Sequence, residues 1–115
     1  MTTKPENLSY EDFAKFDIRV GTITKAEAVP KSKKLLKLEV SFGTEIGTRV
    51  ILAGIAGETY DPAMIAGYKV VALLNLAPRQ MMGIESHGML LACHDQDNKV
   101  WLIQPGPVLD GTEVG

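Results

Sequence analysis

"KLLKLEVSFG", residues 34 to 43, decides the fold. Leu36, Leu38, Val40 and Phe42 fall on one face of an extended chain, and Lys37, Glu39 and Ser41 on the other. A strict period of two over this length belongs to a strand with one buried and one wet face. Upstream, "DIRVGTITKAEAVP" (17–30) sets Ile18, Val20, Thr22 and Thr24 against Arg19, Gly21 and Ile23, then stops at Pro30. It reads as a preceding strand, with Gly21 marking a bulge or tight bend. Downstream, "GTRVILAGIAG" (47–57) is a third strand, opened by Gly47 and running out at Gly54 and Gly57.

The pattern continues outward. In "YDPAMIAG" (60–67), Asp61 as N-cap, Pro62 at the first helical position and Gly67 as stop predict a short helix. "YKVVALLNL" (68–76) is a fourth, almost wholly apolar strand. "GMLLACHD" (88–95) and "KVWLIQP" (99–105) are two more runs, joined by "DQDN", a hairpin-turn composition. At the other end, "SYEDFAKF" (9–16) has Ser9 as N-cap, acidic residues in its first turn, and Phe13 and Phe16 on one edge. The tail "GPVLDGTEVG" (106–115) reads as mostly extended. The order predicts an all-β protein, a five-stranded barrel of the oligonucleotide/oligosaccharide-binding (OB) type. A short helix is expected between strands three and four, and another near the N-terminus. An SH3-like barrel leaves the inner helix unexplained. Residues 1–8 are expected to be a flexible arm and 9–115 a single domain.

With 115 residues, 45 % hydrophobic and 23 % charged, the chain suits one ordinary globular domain. The formal net charge of −2 means that any polyanion must be met by a local basic patch. One cysteine, Cys93, excludes an intrachain disulfide and suggests a reducing compartment. Lying in "GMLLAC", it is expected to be buried and inert. No apolar run reaches membrane-span length, and the N-terminal residues lack an apolar signal core, so a cytoplasmic protein is expected.

Catalysis finds little support. Ser86 and His87 are adjacent, and neighbours on an extended chain point to opposite faces. Cys93 and His94 have the same difficulty as metal ligands, no paired-ligand spacing occurs, and no cofactor is implied. The basic signal is stronger: "PKSKKLLK" places Lys31, Lys33, Lys34 and Lys37 within eight residues, four of the twelve Lys and Arg. In an OB barrel the first inter-strand turn borders the oligonucleotide groove. A solvated loop kept soluble by lysines is the competing reading. Arg49 and Arg79 are candidates for the same surface. In "NLAPRQMMGIESHGMLLA" (75–92), Asn75 and Ser86 offer hydrogen-bonding groups to a base edge, while Met82 and Met89 offer polarizable surface. Core filling is the competing reading of the methionines.

"DFAKFDIRVGTI", "KLLKLEVSFG", "AGIA" and "NLAPRQMMGIESHGMLLA" together resemble the tRNA-binding domain family. Its branches include the C-terminal appendix of bacterial methionyl-tRNA synthetases, free-standing tRNA-binding homodimers, the cytokine-like domain of multisynthetase complexes, and export-chaperone-like proteins. The resemblance spans roughly residues 10 to 110. It implies an OB fold, no catalysis, structure-specific tRNA binding and dimerisation through terminal segments. The implied surface comprises Lys31, Lys33, Lys34, Lys37, Asn75, Arg79, Ser86 and Met89, to which the chemistry of the residues adds Met82. Two departures stand out: Ser32 and Lys33 replace a common Ala-Asp pair, and Gln80 stands where a lysine is frequent. The expectation is therefore a tRNA-binding module that raises the tRNA affinity of a methionyl-tRNA synthetase, in cis or as a free homodimer. A peptide-binding dimer of the chaperone-like branch is the alternative, and a purely dimerising module a third. Phe13, Phe16 and the tail are the expected dimer surface.

Overall fold

The computed structural model describes residues 3–57 and 59–115. Its frame is a five-stranded antiparallel sheet built from β1 (Ile18–Ala28), β2 (Leu36–Ser41), β3 (Thr48–Ala53), β4 (Lys69–Leu73) and β7 (Met89–Leu90), in the order β3-β2-β1-β4-β7. The sheet curls into a nearly closed barrel of OB type. β2 alternates buried and half-buried residues along its whole length, and Leu36, Leu38, Val40 and Phe42 all point into the core with Ile23, Ile51, Ile65 and Val70.

Gly21 marks close packing rather than the bulge. A Cβ there would stand 2.6 Å from the Phe42 ring, so the bare backbone makes room for the largest fully buried side chain. The irregularity lies between Ile23 and Lys25, where the register with β2 shifts and Thr24 is the extra residue. The first half of β1 is flanked by β4 and by the tail: Val20 N–H donates to Thr112 O (2.9 Å), and Gly111 N–H to Val20 O (2.7 Å). Asp110 fixes the tail, accepting from Thr22 Oγ1 at 2.6 Å and from Lys69 Nζ at 3.0 Å.

Two expectations need correction. The segment between β3 and β4 forms consecutive turns rather than a helix, with Asp61 Oδ1 capping Ala63 N–H at 2.9 Å. The cap signals are real, but Ile65 is needed in the core and the chain stops after one turn. A four-residue helix, α2 (Gly43–Ile46), instead lies between β2 and β3. Cys93 is exposed, because β8 (Ala92–His94) and β9 (Val100–Leu102) form a separate two-stranded hairpin with one face turned to solvent. The N-terminal helix α1 (Tyr10–Ala14) forms with its Ser9 cap, and residues 3–8 ahead of it have no regular structure. The first two residues of the expected arm lie outside the described residues. No helix among the described residues is long and apolar enough to cross a membrane.

Candidate nucleic-acid interface

The turn joining β1 to β2 is built by local chemistry. Ser32 N–H donates to Val29 O (3.1 Å) around Pro30 and Lys31, and Lys31 takes φ 69°, the left-handed corner of a type II turn. Ser32 Oγ accepts from Leu35 N–H at 3.1 Å, and Ala56 N–H donates to Lys34 O at 2.8 Å. The backbone is thereby pinned while the side chains of Lys31, Lys33 and Lys34 stand exposed. Among the described residues none of these three ammonium groups pairs with a carboxylate, whereas Lys37, just inside the strand, faces Glu27 at 3.7 Å.

The stretch 75–89 is organised differently. β5 (Arg79–Met81) and β6 (Ile84–Ser86) form a hairpin whose two-residue tip, Met82 and Gly83, has φ 51° and 77°, as a type I′ turn requires. The Met-Gly pair is the hairpin signal in the sequence, weak because Met replaces the usual Asn. The hairpin leads back along the edge of β3, and that meeting closes the barrel. His87 N–H donates to Val50 O (2.8 Å), and Ser86 Oγ accepts from Leu52 N–H (3.0 Å) while reaching Gly88 O (3.3 Å). Ser86 is 3 % exposed, its hydroxyl both donating and accepting within the chain. Through these bonds it takes part in closing the barrel. Gly88, at φ 134°, is pinched between Leu73 O and Ile51, 3.1 and 3.3 Å from where a Cβ would sit.

Asn75 is likewise engaged. Its Oδ1 accepts from Asp17 N–H (2.8 Å) and its Nδ2 donates to Lys15 O (2.6 Å), so it staples the N-terminal segment to the end of β4. Its side chain stays exposed at one face. Arg49 donates to Leu74 O (2.9 Å) and spans the gap between β3 and the end of β4. Met82 and Met89 are 51 % and 45 % exposed, so neither fills the core. Arg79 is exposed and has no carboxylate partner among the described residues.

The expected surface therefore resolves into two patches. Ile18 of β1 pairs with Leu73, beside Asn75, and Leu73 pairs with Met89; Ala28, ten residues on, borders the lysine turn. At about 3.3 Å per residue, ten steps along the coiled and bulged β1 set an upper bound on the order of 30 Å between its ends. Between them, one row crosses the strands: Lys37 is the register partner of Leu52, Leu52 is bonded to Ser86, and Ser86 partners Arg79. Beside Lys34 opens a cleft of about 450 Å³ with Gly54, Ile55, Ala56, Gly57 and Thr59 on one side and the β8–β9 turn on the other; of its lining, Lys34 is an expected RNA contact and His94 a weak metal-ligand candidate.

A small, nearly closed barrel with an exposed cationic turn and a hairpin laid against its seam is the architecture of an OB-type module. The family described as "Putative tRNA binding domain" matches residues 18–113. The chain belongs to this tRNA-binding domain family. It is 48 % identical over 111 residues to the methionine–tRNA ligase of Cytophaga hutchinsonii, which covers 96 % of this chain but 16 % of that enzyme. Among solved structures it is similar to a MetRS-related protein from Pyrococcus horikoshii, with 37 % identity and a TM-score of 0.86. That match covers 96 % of this chain and 100 % of the other. It is also similar to the chaperone CsaA of Bacillus anthracis, with 32 % identity and a TM-score of 0.84 over 96 % and 100 % of the two chains. The chain thus spans about one sixth of the ligase it matches and the whole of these free-standing structures.

Proposed function

We propose that the protein is a non-catalytic module that binds folded tRNA, acting beside a methionyl-tRNA synthetase in cis or in trans. The observation that carries this reading is the pinned β1–β2 turn, which presents three ammonium groups that pair with no carboxylate among the described residues, on a chain of net charge −2. Lysines there neutralise phosphates as point charges and release counterions. Arg79, Met82 and Met89, on and beside the hairpin, form the second contact, and the exposed edge of Asn75 extends it. A cationic turn and a neighbouring hairpin that together offer a broad surface suit an RNA with a folded shape better than a short single strand. Filter binding of unfractionated tRNA tests the reading: Lys33→Ala with Lys34→Ala lowers affinity at low salt and flattens its salt dependence. Unchanged affinity and slope in the double variant overturn it.

Dimerisation belongs to the same proposal. Phe13 and Phe16 stack edge-to-face at 6.4 Å and remain 41 % and 49 % exposed, with Leu8 and Tyr10 exposed beside them in sequence. A twofold contact would cover this apolar ridge. Light scattering at micromolar concentration should give twice the 12.5 kDa chain mass. The exposed Met64, Met82 and Met89, with the similarity to a chaperone, favour a second reading, capture of extended peptides. Peptide binding that tRNA does not displace would favour it.

A further inference from the structure

Lys37 belongs by sequence to the lysine run of the β1–β2 turn, but by structure to a different electrostatic unit. Past the bulge at Thr24, β1 and β2 pair residue against residue, with Lys25 opposite Glu39 and Glu27 opposite Lys37. Between them Ala26 and Leu38 face the core, so the four charged side chains share the wet face. There they form two ion pairs of reversed polarity: Lys37 Nζ lies 3.7 Å from Glu27 Oε1, and Lys25 Nζ 3.9 Å from Glu39 Oε2. The signs alternate along each strand and across the pair, and the four charges sum to zero. The cationic turn starts directly after Ala28, so a charged and a self-neutralised surface meet there. On its other side Lys37 is the register partner of Leu52, which Ser86 ties to the β5–β6 hairpin and Arg79. Lys37 thus stands in the row between turn and hairpin, where an RNA touching both would pass.

We infer that Glu27 withholds Lys37 from the RNA and so ends the phosphate-binding surface at the β1–β2 turn. The inference rests on the reading of the protein as an RNA-binding module. An exposed ion pair contributes little to stability, so a phosphate could displace the carboxylate from direct contact. It could not displace the charge. Glu27 is fixed by its backbone opposite Lys37, so a phosphate at that ammonium also meets a carboxylate close by, and attraction and repulsion largely cancel. A neutral pair also releases fewer counterions than a lone ammonium. Glu27 is therefore a positioning residue that acts through Lys37. An RNA sliding along β2 toward Glu39 would exchange the exposed lysines of the turn for alternating charges, and the footprint stays on the turn.

The test is filter binding of unfractionated tRNA to the whole chain over a range of salt concentrations. Glu27→Gln keeps the size of the side chain and removes its charge. It should raise affinity about threefold at low salt and steepen the slope of log affinity against log salt by about 0.7. Misfolding cannot imitate a gain. Glu27→Asp, which retains the charge, should bind as the wild-type chain does. Lys37→Ala alone should change affinity by less than about twofold, and in its presence Glu27→Gln should bring no gain. Unchanged or lowered affinity in Glu27→Gln overturns the inference, as does a loss in Lys37→Ala matching that of the Lys33, Lys34 double variant. The same gain with Lys37→Ala present overturns it too, because Glu27 would then act only through the net charge of the chain. Each of these results leaves the tRNA reading standing. Failure of the wild-type chain to bind tRNA at low salt overturns both.

Discussion

The β1–β2 turn and the stretch 75–89 divide the molecule's labour in a way their sequences disguise. The turn looks like ordinary solubilising charge, yet its lysine side chains take no part in the hydrogen bonds that shape it. The stretch 75–89 has the more distinctive pattern, and most of that pattern is structural: Asn75 staples, Ser86 bridges to Leu52, and Gly88 fits where no side chain can. A specific motif can therefore record how a barrel closes, while the exposed lysines sit in the plainer segment.

The widest separation between the two regions should come from Gly88→Val. It puts a branched side chain at φ 134° against Leu73 O and Ile51, and should cost about 3 kcal/mol in urea unfolding. Ser86→Ala leaves the buried Leu52 N–H without its acceptor, for a loss of about 2 kcal/mol read from the same transition. By contrast, Lys33→Ala with Lys34→Ala should leave stability within about 0.5 kcal/mol. In filter binding the same pair should lower the slope of log affinity against log salt by about 1.5. Were Ser86→Ala to abolish tRNA binding at full stability, the division would fail. Asn75→Ala should cost about 1 kcal/mol and speed hydrogen exchange at the Asp17 amide.

The smallest effect concerns acid. The Trp101 indole N–H and the Lys99 and Asp97 amides hold the Asp95 carboxyl below the usual aspartate range. A lowered pKa means that this support is complete above the ordinary aspartate value and fades as pH falls through the lowered one. Emission from Trp101, the chain's single tryptophan, should shift in that more acidic window, and the shift should vanish in Asp95→Asn. Binding at the lysine turn should be unaffected by Asp95→Asn at neutral pH.

The fold was largely legible because the strands announce themselves by period: β2 alternates as expected, and β1, β3 and β4 lie within their predicted stretches. What failed was governed by distant contacts. Ile65 and Tyr60 are drawn into the core, so the capped turn at Asp61 never extends into a helix. The run "GMLLAC" looked buried along its length, but β8 leaves the main sheet and exposes Cys93. The candidate site was legible as residue types and not as one surface. Hydroxyl and amide groups read alike in sequence whether they meet a ligand or another strand, and only the bonds of Ser86 and Asn75 decide which.

The tail has a consequence for how copies of the chain coexist. By pairing with Ile18–Val20 through Gly111, Thr112 and Val114, it occupies a stretch of β1 backbone that β2 does not reach. Stripped of those residues, the strand would present bare N–H and C=O groups to any passing extended segment, the usual starting point of fibre growth. The last few residues thus act as a built-in stopper, keeping crowded molecules from knitting together edge to edge.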